Sequence, residues 1–107
     1  MRLTPQQTTG IIMAVAPFLI EHKAELRLYG SRVRDDLRGG DIDLLLLLKD
    51  ADLILKLVEN KHYLISAIKQ YIGDQKIDLL ITDHHALNHD AFLKMIFPES
   101  LILKRWE

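Results

Sequence analysis

Cysteine is absent from the chain, so no disulfide can staple it, and the fold must rest on its own core. That absence fits a reducing cytosol, and a cytoplasmic protein is expected, although this point alone does not separate it from many secreted chains. An excess of one charge is also missing. The 14 basic and 15 acidic residues leave a formal charge of −1, so no global field draws the chain to nucleic acid or membrane. Direct nucleic-acid binding is therefore not expected, while a small basic patch around a phosphate remains compatible. Long apolar runs are missing too. The all-leucine run, residues 44–48, has the length of a strand, and no apolar run approaches the about 18 residues that mark a membrane span. The opening MRLTPQQTTG lacks the basic and then apolar pattern of a leader. No repeat, linker or low-complexity segment interrupts the sequence. With 49% hydrophobic residues, one core and a single domain over 1–107 are expected.

What is present reads as alternating helices and strands. Thr4-Pro5-Gln6-Gln7 has the form of a capping box with proline at the first helical position. Ile11, Ile12, Val15, Phe18 and Leu19 follow at helical spacing, and Pro17 predicts a kink or break. Residues 25–29 alternate like a half-buried strand, which Gly30-Ser31 ends, and a short helix is expected over 32–35. Residues 41–48, with Ile42 and five leucines, read as a central strand covered on both faces. Asp50 or Asp52 is expected to cap one long helix to about residue 71, burying Leu53, Leu57, Leu64 and Ile68, with Gly73 as its stop. A third strand over 76–82, a short helix near 88–95 and an apolar end after Pro98 complete the pattern. The order αβαβαβα predicts an α+β fold, an α/β sandwich built on one small mixed sheet.

Three aspartates stand where strand cores should be apolar. Asp41 and Asp43 are two apart, so their side chains share a face, and Asp78 lies between Ile77 and Leu79 on the next predicted strand. Pairing of those strands would bring the carboxylates together, at a cost in repulsion and desolvation. A divalent cation removes both costs, and hard oxygen ligands suit magnesium. Two such ions roughly 3.5–4 Å apart can activate an attacking oxygen and neutralise a leaving pyrophosphate. Upstream, Gly30 permits close backbone approach to a ligand. The amides after it and the Ser31 hydroxyl could hold phosphate oxygens, with Arg32 or Arg34 adding a charge-assisted contact.

Gly30-Ser31, nine residues, then Asp41-Ile42-Asp43 resembles the signature of the DNA polymerase beta nucleotidyltransferase superfamily. The string YGSRVRDDLRGGDIDLLLLL is similar to small single-domain members called minimal nucleotidyltransferases, or MNT proteins, and the similarity of order continues to Asp78. It departs from many of them at Asp35 and Gly40, and in having nine rather than ten intervening residues. The resemblance implies magnesium as cofactor and ATP as substrate. It assigns triphosphate contacts to Gly30 and Ser31, metal to Asp41 and Asp43, and a third ligand or general base to Asp78. It also implies a HEPN-domain ribonuclease as partner, neutralised as a toxin by transfer of AMP to one of its tyrosines.

Plainer readings exist for the same residues. Asp41 could simply begin a strand, Asp43 and Asp78 could be exposed, Ser31 could be a helix cap, and Arg32 and Arg34 could be solvated and paired with Asp35 and Asp36. His84, His85 and His89 with Asp90 lack a further matched ligand and read as a solvated loop. Two other functions compete with transfer to a protein. One is an MNT-fold binding module that blocks its partner through Phe92, Ile96, Phe97, Leu101 and Trp106. The other is nucleotide transfer to a small molecule such as an aminoglycoside.

Overall fold

The structure is a computed structural model and describes residues 1–34 and 40–107. Thr4 Oγ1 accepts a hydrogen bond from the Gln7 amide and Gln7 Oε1 accepts one from the Thr4 amide, both at 3.0 Å. This reciprocal pair satisfies two of the amides that a helix start leaves open, and it launches α1 (Pro5–Val15). Pro17 ends the α-helical ladder as expected, and the chain tightens into a 3₁₀ turn, Ala16–Leu19.

Four strands follow: β1 (Ala24–Tyr29), β2 (Ile42–Leu48), β3 (Ile77–Asp83) and β4 (Leu101–Trp106). They form a mixed sheet in the order β3-β2-β1-β4. β1 is antiparallel to both of its neighbours, whereas β2 and β3 are parallel and joined through helices. The α+β class is as the sequence implied.

Two expectations need correction. The single long helix after Asp50 is in fact two, α2 (Ala51–Glu59) and α3 (Lys61–Ile72), broken at Asn60. Asn60 donates from its side chain to the Lys56 carbonyl at 2.8 Å, the same carbonyl its own amide reaches at 3.1 Å. An amide side chain that competes for the helix's own acceptors favours such a break. The apolar end after Pro98, given no element from the sequence, is the edge strand β4. It is preceded by α4 (Ala91–Ile96), which Asp90 caps through the Leu93 amide at 3.1 Å.

The sheet has two unequal faces. Leu26, Leu28, Ile42, Leu44, Leu46 and Leu79 pack under α1, α2 and α3 with Ile11, Leu57, Leu64 and Ile68. On the other face Tyr29, Leu45 and Leu47 form a smaller cluster with Leu93 of α4. All of Leu44, Leu45, Leu46, Leu47 and Leu48 are 0–1% exposed, which is why β2 reads as an unbroken apolar run.

The smaller face also holds β4 to β1. Buried Glu25 accepts from Arg105 Nε at 2.9 Å and from Arg27, whose guanidinium also donates to Ser100 Oγ at 2.7 Å and lies 4.3 Å over the Phe97 ring. Burial pushes the Glu25 carboxyl up, but the hydrogen bonds and charges of Arg27 and Arg105 outweigh it and hold its pKa below the usual value. Among the described residues no helix is long and apolar enough to cross a membrane.

Candidate active site

The end of β1 sets the site. Tyr29 is its last residue, and Gly30 turns away from the sheet at φ +78° into a 3₁₀ turn, Gly30–Val33. Only glycine adopts that backbone readily, and here it is also required for space. A Cβ on Gly30 would collide with Oδ2 of Asp43. The strand-to-turn corner and the second aspartate of the DxD are thus in direct contact.

Register then arranges the rest. Tyr29 pairs with Asp43 across β1 and β2, and Asp43 pairs with Asp78 across β2 and β3. Directly paired residues share a face of the pleat, so Tyr29, Asp43 and Asp78 form one row on the face turned away from α1, α2 and α3. Asp41, two residues before Asp43, has the same parity and stands half-exposed at the strand's start. Its Oδ2 lies 3.6 Å from Lys76 Nζ.

The proximity of these groups is visible in Asp43. Burial first, then the charges of Asp78 and Asp41, push its pKa above the ordinary 3.8, and Lys76 only partly opposes them. A bound cation would relieve that repulsion, and the three oxygen-donor side chains suit a hard ion such as magnesium. As the side chains stand, no group of three or more His, Asp or Glu among the described residues converges closely enough to hold a metal.

Ser31 lies within the turn rather than before it, so its plainer reading as a helix cap does not apply; Tyr29 holds the cap position and no side chain caps it. Beside this turn a cavity of about 340 Å³ is lined by Gly30, Ser31, Val33, Arg34, Met95, Ile96 and Glu99. Of the helix expected over 32–35, Arg32 and Val33 belong to this turn and Arg34 follows it in extended conformation, while residue 35 and the pairing proposed for Asp35 and Asp36 fall outside the described residues.

Arg32 is engaged in a way the sequence did not suggest. Its guanidinium donates to the carbonyls of Arg2 at 2.8 Å, Gly40 at 3.1 Å and Asp41 at 3.2 Å, and to Gln75 Oε1 at 3.3 Å. It ties the N-terminal segment and the approach to β3 to the backbone of the first aspartate. Replacement by lysine keeps the charge and loses the planar fork. Arg32→Lys is expected to lower the unfolding free energy by about 1–3 kcal/mol in a denaturant titration. A side chain serving phosphate alone would leave that titration unchanged.

His85 and His89 lie ring to ring at 4.4 Å in an exposed turn that Asp83 caps, its Oδ1 accepting from the Ala86 amide at 2.8 Å. Tyr29 was not singled out from the sequence as a site residue. The signal for Tyr29 was its parity, since it falls on the same alternation as the polar Glu25 and Arg27.

No curated protein and no solved structure matches this chain. Residues 12–104, most of its length, do match the family described as nucleotidyltransferase domain. That span takes in the Gly30 corner, the paired aspartates of β2 and Asp78 of β3. The chain therefore belongs to the nucleotidyltransferase domain family, within the DNA polymerase beta superfamily.

Proposed function

We propose that this chain is a magnesium-dependent transferase that moves AMP from ATP to a hydroxyl group, that of a tyrosine on a HEPN ribonuclease to which it serves as antitoxin. The observation that supports transfer most directly is the row formed by Asp43 and Asp78 beside the Gly30 corner. The choice of acceptor and partner rests on the resemblance of the sequence to MNT proteins.

In this reading the turn after Gly30, with the Ser31 hydroxyl, orients the triphosphate. Asp41, Asp43 and Asp78 would hold magnesium, which supplies charge for the α-phosphate and the leaving pyrophosphate. Asp78 takes the proton of the acceptor hydroxyl. The acceptor oxygen bonds to the α-phosphorus as the bond to the bridging oxygen breaks, and pyrophosphate leaves. Incubation with ATP labelled in its adenylate, magnesium and the HEPN partner is expected to label the partner. Equal labelling by an Asp41→Ala variant would sink the proposal.

A second reading has its own support. Phe92 is 46% exposed, Met95 65%, Leu101 38% and Ile102 45%, an apolar set that suits a partner surface. In that reading the chain neutralises its partner by complex formation, and an Asp41→Ala/Asp43→Ala double variant would neutralise it fully.

A further inference from the structure

Tyr29 carries a hydroxyl where packing alone asks for none. Its residue is 5% exposed, it belongs to the apolar cluster with Leu45, Leu47 and Leu93, and its ring meets Phe92 edge to face at 6.0 Å. A phenylalanine would satisfy all of those contacts. The hydroxyl instead donates to Oδ2 of Asp78 at 3.3 Å, although Tyr29 and Asp78 stand on strands separated by β2. Adjacent strands lie about 4.8 Å apart, so the side chain must reach along the row past Asp43, which the length of the tyrosine allows.

We propose that Tyr29 is a positioning residue of the transfer site, its hydroxyl steering Asp78 through Oδ2 and leaving the other carboxylate oxygen for the cation or the acceptor hydroxyl. The inference rests on the transferase reading above. A phenol keeps its proton at neutral pH, so the Tyr29 hydroxyl is the donor and the Asp78 carboxylate the acceptor of this contact. The contact is longer than a tight hydroxyl–carboxylate bond of about 2.6 Å, so it guides Asp78 without locking it. Its removal should therefore have a moderate effect, comparable with loss of the outer hydrogen bonds that orient metal ligands.

The test uses Tyr29→Phe, which keeps the ring and its contact with Phe92. Mn²⁺ serves as the metal probe, titrated by paramagnetic resonance alongside steady-state transfer. Mn²⁺ affinity and kcat are each expected to fall about tenfold, with KM for ATP and Tm unchanged. In an Asp78→Ala background the same change should cause no further loss of Mn²⁺ affinity, because the residue through which Tyr29 acts has gone. Undiminished Mn²⁺ affinity in the single variant, or an equal loss in both backgrounds, would overturn the inference. A native chain that neither binds Mn²⁺ nor transfers nucleotide would overturn the transferase reading itself, and this inference with it.

Discussion

Asp43→Asn is expected to slow nucleotide transfer by about a thousandfold and at the same time raise the melting temperature of the metal-free protein. The loss follows from its place in the row, between the Gly30 corner and Asp78. Loss of one pre-organised group at a developing charge slows turnover by about a thousandfold. The gain follows from linkage. The folded chain holds the Asp43 proton more tightly than the unfolded chain does, because burial and the charges of Asp78 and Asp41 raise its pKa. As pH rises past the ordinary 3.8, the unfolded state ionises first and stability falls until the folded group has also ionised. Above that point the whole penalty is present, and an uncharged amide avoids it. The advantage of the D43N variant should be full at neutral pH and vanish below the unfolded pKa. Thermal melts at pH 7 and near pH 3, in the presence of a chelator, would show this. A variant less stable than the native chain at pH 7 would contradict the assigned repulsion.

Gly30→Ala should cost both stability and activity, unlike an ordinary core change, which weakens the fold alone. The backbone there, at φ +78°, strains any side chain, and such strain costs on the order of 1–3 kcal/mol. The added Cβ also meets the Asp43 carboxylate, the movable end of a side chain, so the collision resolves by displacing the group the reaction needs. Transfer is expected to fall by about a hundredfold. A denaturant midpoint near the native value together with native turnover would show that the corner tolerates a side chain and that the contact with Asp43 is dispensable.

The parts of this protein that could be read from sequence were those set by local chemistry. Thr4 and Gln7 announced the first helix, the leucines of β2 announced a doubly covered strand, and the parity of Asp41 and Asp43 placed both on one face. Family resemblance added the grouping of Gly30 with those aspartates. What escaped depended on distant partners. β4 looks like a polar-ended tail until β1 is beside it, because Lys104 and Arg105 mask its alternation and its register shifts at Leu26 and Arg27. The reach of Tyr29 to Asp78 required the full strand order, which no periodicity contains. The contacts of Arg32 were hidden for another reason. A cation beside a glycine-serine turn suggests phosphate, and nothing local indicated that it also donates to the carbonyls of Arg2, Gly40 and Asp41.

The position of β1 has a consequence for synthesis. Of the four strands in this sheet it is the first to leave the ribosome, yet one of its two neighbours is formed by residues 101–106. Until that segment emerges, the side of β1 that β4 will cover stays open, a row of amides and carbonyls available to any extended peptide nearby. Glu25 would meanwhile have Arg27 but not Arg105 beside it, so a charged, half-compensated carboxylate marks the open flank. Such a charge discourages wrong strands from docking, and arrival of Arg105 converts the same group into the latch for the right one.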